Sequence, residues 1–170
     1  MIRLKDENHH HPAHHGPGRP AKAFASLEQE VFVAAQRTAD RLMRDLEDAL
    51  KDAHLSPTQY NVLRILRGAG VAGLACHEIA ERMLTRDPDM TRLLDRLEDR
   101  GLLTRSRERS DRRVIRTRIS PDGLRLLKDL DEPVRGMHRR QLNHLGEKRL
   151  RLLVRLLEAA RERAGLESHE

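Results

Sequence analysis

The chain has 170 residues, a formal net charge of +6, and a 35 % share of Asp, Glu, Lys and Arg. Aromatic residues make up only 2 % of it, so domains that bind nucleic acid by stacking bases on aromatic side chains are excluded. A β-sandwich is disfavoured for the same reason, because its strands need aromatic and β-branched residues throughout.

The first segment, residues 1–25, contains prolines, glycines and histidines but few apolar residues that a core would bury. We therefore expect it to be disordered. Its histidine-rich part, residues 9–15, is able to bind a divalent metal loosely, which makes a metal-responsive regulator one alternative function. The residue pattern otherwise predicts no cofactor and no metal site.

The same segment lacks an apolar region typical of an export signal, and the apolar runs of the chain are too short to span a membrane. A single cysteine, Cys76, cannot form an internal disulfide. We therefore expect a cytoplasmic protein that has no membrane partner. Cys76 itself is interpreted as a small buried residue rather than a redox sensor.

From Ser26 onward, apolar residues recur every three to four positions, which predicts a helix to about Lys51. An amphipathic helix of this kind has one stripe to bury. The expected stripe consists of Leu27, Val31, Ala35, Thr38, Leu42, Leu46 and Ala49.

Ser56 followed by Pro57 predicts a second helix, because serine caps helices and proline favours their first position. This helix should end at Gly68 and Gly70. Its expected buried residues are Tyr60, Val62, Leu63 and Leu66. A third helix is predicted from about Cys76. Its expected core positions are Ile79, Ala80, Met83 and Leu84.

A fourth helix is predicted to begin at Asp87 and Pro88 and to end before Gly101, since glycine often terminates helices. Its apolar face consists of Met90, Leu93, Leu94 and Leu97. The third and fourth helices are short and only a few residues apart, so they must cross at a steep angle. This arrangement is a helix-turn-helix.

After Gly101 the apolar period changes from helical to alternating, which predicts strands over residues 102–107 and 114–119. The polar residues 108–112 predict the tip of a hairpin between them. A helix-turn-helix followed by such a hairpin is a winged helix. We expect a mainly α fold with a small β-hairpin wing, in which residues 55–120 form a winged helix-turn-helix DNA-binding domain.

Ser120 and Pro121 predict the start of a fifth helix, and Pro133 inside its pattern predicts a kink or break near Glu132. The apolar positions of this helix are Leu124, Leu127, Leu130, Val134 and Met137. A last helix follows Gly146 and has a wide apolar face. That face consists of Leu150, Leu152, Leu153, Val154, Leu156, Leu157 and Ala160.

The terminal helices together carry more apolar surface than a domain of this size can cover. We therefore predict a helical dimerisation region formed by residues 26–54 and 121–165, and a homodimer with two-fold symmetry. The alternative is a self-contained helical bundle.

The positive charge of the chain is concentrated in one stretch. Residues 100–118 hold eight arginines against Glu108 and Asp111, so they account for the whole formal excess of +6. A local basic stretch on an otherwise neutral chain indicates binding to a polyanion such as double-stranded DNA. The alternative is a solvated charge run on a surface strand.

The outward face of the fourth helix provides the candidate DNA contacts, because the second helix of a helix-turn-helix meets base edges in the major groove. Arg92 is the first candidate, since arginine can hold guanine by two hydrogen bonds. Arg86, Thr91 and Arg96 are candidates for base or phosphate contacts. Asp89 stabilises the helix start and is able to accept from a cytosine amino group. The alternative partners of the helix arginines are Asp95, Glu98 and Asp99.

Several motifs occur in a fixed order between residues 55 and 134. They are LSPTQYNVLRIL, HEIAERM, MTRLLDRLEDRGLLTR, SDRR at residues 110–113, and ISPDGLRLL. In this combination the sequence resembles the MarR family of bacterial transcription regulators. The resemblance implies a homodimer that binds palindromic promoter DNA, usually as a repressor that a small-molecule ligand releases.

The resemblance also implies roles for residues of the wing. Asp111 would brace Arg113, and Arg113 would enter the minor groove. Arg107, Arg109 and Arg112 are expected to assist as further DNA contacts.

Other functions are less well supported. The sequence shows no pairing of a nucleophile with a base and no phosphate-binding motif, so we do not expect an enzyme. A winged-helix module that binds an acidic protein partner through its hairpin is the remaining alternative.

Overall fold

A computed structural model describes residues 24–84, 89–107 and 114–166 of the chain. Over these residues the fold is mainly helical with one two-stranded antiparallel hairpin, as predicted. The helices are α1 (Leu27–Leu50), α2 (Pro57–Ala69), α3 (Cys76–Arg82), α4 (Met90–Asp99), α5 (Pro121–Leu142) and α6 (Gly146–Leu166). The hairpin strands are β1 (Leu103–Arg107) and β2 (Ile115–Ile119).

Two predictions concern residues that the structure does not describe. The segment predicted to be disordered, residues 1–25, lies outside the described residues except for Phe24 and Ala25. The predicted hairpin tip, residues 108–112, lies outside them as well.

The chain divides into two compact units within α1, between Arg37 and Thr38. The predicted stripe of α1 is exposed at the first four positions, so the prediction that these residues are buried is wrong for the single chain. They are Leu27, Val31, Ala35 and Thr38. Within the second unit, the last turns of α1 pack against the core, and Leu50 is fully buried there.

Helix α2 begins as predicted. The Ser56 hydroxyl accepts the backbone N–H of Gln59 at 3.2 Å, and the Gln59 side chain accepts the N–H of Ser56 at 3.0 Å. This reciprocal pair is a capping box, with Pro57 at the first helical position. Gly70 follows the helix with a positive φ of 61°, whereas Gly68 lies inside it, so the predicted stop at Gly68 is wrong. The four predicted core residues of α2 are buried.

Helix α3 is short and buries less than predicted. Ile79 is fully buried, but Ala80 is exposed. Leu84 is 80 % exposed because α3 has already ended at Arg82. Cys76, at the first position of α3, is exposed, so the prediction that it is buried is wrong.

Helix α4 begins at Met90, later than predicted. Its cap is Asp89, whose side chain accepts the backbone N–H of Arg92 at 3.2 Å, and not the predicted Asp87. The segment 85–88 lies outside the described residues. The predicted face of Met90 and three leucines is buried, and its burial holds α4 in the core.

The end of α4 turns directly into the hairpin. The N–H of Gly101 donates to the carbonyl oxygen of Glu98 at 2.7 Å, and that of Leu102 donates to Leu97 at 3.0 Å. This pair of bonds is a Schellman motif, which a glycine with φ of 69° permits. Because Leu102 completes the helix end, β1 begins one residue later than predicted.

The hairpin is attached to the segment before α3. Strands β1 and β2 are antiparallel and pair from Leu103 opposite Ile119 to Arg107 opposite Ile115. Leu74 forms an additional bridge with Thr117 of β2.

Helix α5 is continuous from Pro121 to Leu142, so of the predicted kink or break near Glu132 the break is wrong. A proline removes one backbone hydrogen bond, and buried Leu130 and Val134 beside it hold the helix on the core. Leu124, the first of the apolar positions of this helix, is 44 % exposed.

One hydrophobic core joins side chains of α2, α3, α4, β1 and α5 with the end of α1. Helix α6 contributes no fully buried side chain among its described side chains. None of the described helices combines the length and the apolar composition that a membrane crossing needs.

Candidate nucleic-acid interface

Helix α4 has two different faces. Its leucine face is buried, whereas Thr91, Arg92 and Arg96 are exposed on the other side. The side chain of Arg92 is 80 % exposed, so its guanidinium is accessible to an external partner. The structure thus places three of the predicted site residues on one surface of α4, next to Asp89 at its start.

The arginines of this surface make only local contacts among the described residues. Nε of Arg92 lies 3.4 Å from Oδ2 of Asp89. Nε of Arg96 donates to the backbone oxygen of Arg92 at 3.3 Å. Two of their predicted alternative partners, Asp95 and Glu98, are instead bound by an arginine of β1. The base-contact candidates are therefore not neutralised by these two carboxylates.

Arg105 of β1 binds α4 through three donors. Its backbone N–H donates to Oε1 of Glu98 at 3.0 Å, and its Nε donates to Oε2 of Glu98 at 2.7 Å. Its Nη2 donates to Oδ1 of Asp95 at 2.6 Å. The hydrogen bond to Glu98, followed by that to Asp95, raises the pKa of Arg105 above its ordinary value. The guanidinium is therefore charged and fixed against α4.

Arg116 of β2 makes the corresponding contact with α3. Its Nη1 donates to Oε2 of Glu78 at 2.6 Å, and the same oxygen accepts the backbone N–H of Ala75 at 2.7 Å. The N–H of Ala75 is the largest cause that lowers the pKa of Glu78 below its ordinary value, and Arg116 adds to it. Glu78 therefore connects the start of α3 with the hairpin.

Two more arginines of the basic stretch bind backbone oxygens. Arg100 donates to two carbonyl oxygens of the turn after α1, at 2.6 and 2.9 Å. Arg118 donates to the carbonyl oxygen of Val71 at 2.8 Å. Together with the two arginines above, half of the eight in residues 100–118 hold the fold together. Among these four, Arg105 and Arg116 face carboxylates, so the interpretation of the stretch as a surface for a polyanion stays a prediction for the other arginines.

The other predicted wing contacts are only partly described. Arg107 is exposed at the end of β1. Four wing residues and one residue before α4 lie outside the described residues, so their roles stay predictions. They are Arg109, Asp111, Arg112, Arg113 and Arg86.

Comparison with known proteins identifies the family. The MarR family model matches residues 55–115. A crystal structure of a MarR transcription factor from Planctomyces limnophilus is 46 % identical in sequence and has a TM-score of 0.62. The match covers 81 % of this chain and 99 % of that one. The chain belongs to the MarR family. It is a winged-helix transcriptional regulator, which confirms the resemblance in its motifs.

Two repressors of the helix-turn-helix type are also similar to this MarR protein. IacR of Pseudomonas putida is 27 % identical over 160 residues, which are 93 % of this chain and 95 % of IacR. MdtR of Bacillus subtilis (strain 168) is 28 % identical over 102 residues, which are 60 % of this chain and 64 % of MdtR. The chain thus spans nearly all of IacR and a little less than two thirds of MdtR.

Sequence reasoning missed the residues that connect the wing of this MarR protein to its helices. Glu98 and Arg105 lie on either side of the Gly101 turn, so no helical or strand period relates them. A signal was present in the alternation of β1. Leu103 is buried, and Arg105 is the next residue on the same face of the strand, which places it beside the core-facing helix.

Metal ligands are not gathered in the described part of the chain. Across residues 24–84, 89–107 and 114–166, no group of three His, Cys, Asp or Glu side chains is arranged to hold a metal ion. The histidine-rich stretch 9–15 lies outside these ranges.

Proposed function

We propose that the chain acts as a homodimeric repressor of a palindromic promoter site, with α4 in a major groove and the wing against the adjacent minor groove. The observation that carries this proposal is the division of α4 into a buried leucine face and an exposed face with Thr91, Arg92 and Arg96. A helix anchored in this way presents its side chains to base edges at fixed positions.

Arg92 is the proposed base contact, because its guanidinium matches the O6 and N7 acceptors of guanine. Its ion pair with Asp89 has a 3.4 Å separation and a highly exposed arginine, so the exchange of the carboxylate for a base costs little. Thr91 and Arg96 contact neighbouring bases or phosphates. Asp89 caps α4 and accepts from a cytosine amino group. Arg86 is a further proposed contact to a base or phosphate.

The wing provides the proposed minor-groove contacts. Arg107 is exposed at the end of β1, where the hairpin leaves the helices. Arg109, Arg112 and Arg113 follow it in the sequence, and Asp111 braces Arg113. Phosphate contacts from these arginines supply most of the affinity and make it depend strongly on salt.

The proposed homodimer uses the terminal helices, residues 26–54 and 121–165. Helix α6 supports it, because five neighbouring apolar side chains on this helix are between 37 % and 59 % exposed. They are Leu152, Leu153, Val154, Leu156 and Leu157. A contiguous apolar set of this kind is typical of a protein interface. In the dimer the two α4 helices lie about 34 Å apart, one turn of DNA.

A cavity of about 660 Å³ between the second half of α1 and α5 supports regulation by a small-molecule ligand. Its polar lining consists of Arg41, Asp45, Asp48, Arg140 and Gln141. A volume of this size suits a small organic molecule. The ligand acts by favouring a spacing of the two α4 helices that no longer matches the DNA.

The test begins with the selection of genomic DNA fragments by the purified full-length protein. We expect a two-fold symmetric site, a dimer in solution, and a Kd of about 10⁻⁸–10⁻¹¹ M for the selected duplex. Arg92→Ala should relax the preference at one base pair of each half-site. Arg64→Ala, which removes an exposed arginine of α2, should bind like the wild type. A monomeric protein that ignores duplex DNA at low salt would refute the proposal.

A further inference from the structure

The hairpin is fixed to the helix-turn-helix at one cross-strand pair of residues. Arg105 of β1 and Thr117 of β2 are opposite residues. On the outer side of β1, the N–H of Arg105 donates to Glu98 of α4 at 3.0 Å. On the outer side of β2, Thr117 exchanges two backbone hydrogen bonds with Leu74, at 2.8 and 3.0 Å. This level of the hairpin is therefore held from both sides.

Side chains reinforce the attachment. The Arg105 guanidinium binds Glu98 and Asp95 of α4, while Arg116 binds Glu78 of α3. Each of the two glutamates also accepts a backbone N–H, so its carboxylate fixes a main chain as well as an arginine. Each strand of the wing is thus bound to a different helix of the helix-turn-helix.

We propose that Arg105 is a positioning residue for DNA recognition, which fixes the wing relative to α4 through Glu98 and Asp95 and does not itself bind a phosphate. This inference rests on the proposed function, in which α4 and the wing contact one duplex. The two elements must enter adjacent grooves together, so an orientation that is set before binding avoids the cost of ordering them on the DNA.

The geometry of Arg105 separates it from the arginines that contact DNA. Its Nε and Nη2 face carboxylates, and its side chain is only 26 % exposed, whereas that of Arg92 is 80 % exposed. A move to a phosphate would leave two carboxylates of α4 without this counter-charge. The pairing of Asp95 with Arg105 offsets the negative charge of this carboxylate on α4.

The first experiment uses the full-length protein, the duplex that it selects, and Arg105→Lys. Lysine keeps the positive charge that binding to a phosphate needs, but its ammonium cannot reproduce the forked contact with two carboxylates. We expect Arg105→Lys and Arg105→Gln to bind the duplex roughly 5- to 100-fold more weakly. The slope of log K against log salt should stay that of the wild type. Arg107→Gln is the matched control on the same strand and should reduce the slope by about 0.9 for each phosphate that the variant no longer neutralises.

The second experiment is a double-mutant cycle in DNA affinity between Arg105→Gln and Glu98→Gln. The proposed positioning acts through Glu98. The affinity of the double variant for DNA should therefore be no lower than that of the single variant with the lower affinity. The proposal is overturned if the two reductions in affinity add, if the slope of Arg105→Gln falls as in the control, or if Arg105→Lys binds like the wild type. If Arg105→Gln does not fold, Arg105→Lys replaces it in both experiments. Failure of the proposed function can be told apart from failure of this inference, because the wild type itself would then not bind duplex DNA.

Discussion

Ser120 and Gly101 are joined by a hydrogen bond in which the serine hydroxyl donates to the glycine carbonyl oxygen at 2.6 Å. The same hydroxyl accepts the backbone N–H of Gly123 at 3.0 Å, in the first turn of α5. Since Gly101 closes α4, one hydroxyl connects the end of α4 with the start of α5. Ser120 is only 6 % exposed, so water has little access to replace either bond.

Ser120→Ala is expected to lower the free energy of unfolding by about 2–3 kcal/mol, because it removes the cap from the buried N–H of Gly123 and also the part-buried bond to Gly101. Ser56→Ala is the matched control. It removes the cap of α2 at an exposed residue and should cost about 1 kcal/mol. Urea unfolding of both variants measures the difference. Equal reductions in stability would show that the bond to Gly101 contributes nothing.

Gly123→Ala should destabilise the fold by about 1–3 kcal/mol through overpacking. A Cβ at this position would meet the backbone oxygen of Leu102, and it would lie 2.8 Å from Cγ1 of Ile119. Gly68→Ala is the control, because nothing lies within 4 Å of a Cβ there and its place inside α2 favours alanine. It should stabilise by about 0.5–1 kcal/mol. Melting temperatures that shift in the same direction would contradict this account.

Glu78→Gln should change the dependence of stability on pH. The pKa of Glu78 lies below its ordinary value of 4.5, chiefly because of the Ala75 N–H and also because of Arg116. A carboxylate with a lowered pKa stabilises the folded state above its unfolded pKa and loses this effect as the pH falls through the folded pKa. The wild type should therefore be more stable than the variant near neutral pH. This difference in stability should shrink on acidification below pH 4.5.

The measurement is the urea midpoint of both proteins across this pH range. Arg116→Gln should remove only part of the effect, since the N–H of Ala75 remains. A gap between the wild type and Glu78→Gln that stays constant on acidification would show that the carboxylate charge is not involved.

Arg113→Ala should weaken binding to all duplexes alike, because interactions with the DNA backbone carry no sequence information. It should also reduce the salt slope by about 0.9 for each phosphate left without its arginine. Arg92→Ala should instead cost about 1–3 kcal/mol at one base pair of each half-site. Titrations of the selected duplex and of single-base variants, at several salt concentrations, separate the two effects. A single-base effect in Arg113→Ala with an unchanged slope would contradict its proposed role.

Local signals made much of the fold predictable. Ser56 and Ser120 cap the helices that follow them, and Leu93, Leu94 and Leu97 form the buried face that their spacing indicates. These features depend on neighbours in the sequence, so a pattern can report them. The order of helix-turn-helix and hairpin followed from the same local signals, and so did the surface of α4.

The remainder depends on contacts between distant residues. Asp87 and Asp89 are both able to cap a helix, and the sequence does not decide between them; the structure uses Asp89. Pro133 favours a break by itself, but burial of its neighbours keeps α5 continuous. Arg105 belongs by sequence to a surface charge run, and only its partners on α4 distinguish it. The exposure of Leu27 in α1 could not be deduced from periodicity, which identifies an apolar stripe without its packing partner.

Both outer edges of the hairpin are occupied at its middle, by Leu74 beside β2 and by the Glu98 carboxylate beside β1. An open strand edge invites a strand from another molecule, which is a common route to aggregation and to peptide capture. At this level the hairpin offers no vacant row of backbone donors and acceptors for such an addition. At the level of Arg105 and Thr117, a foreign polypeptide would therefore have to approach the hairpin through its side chains.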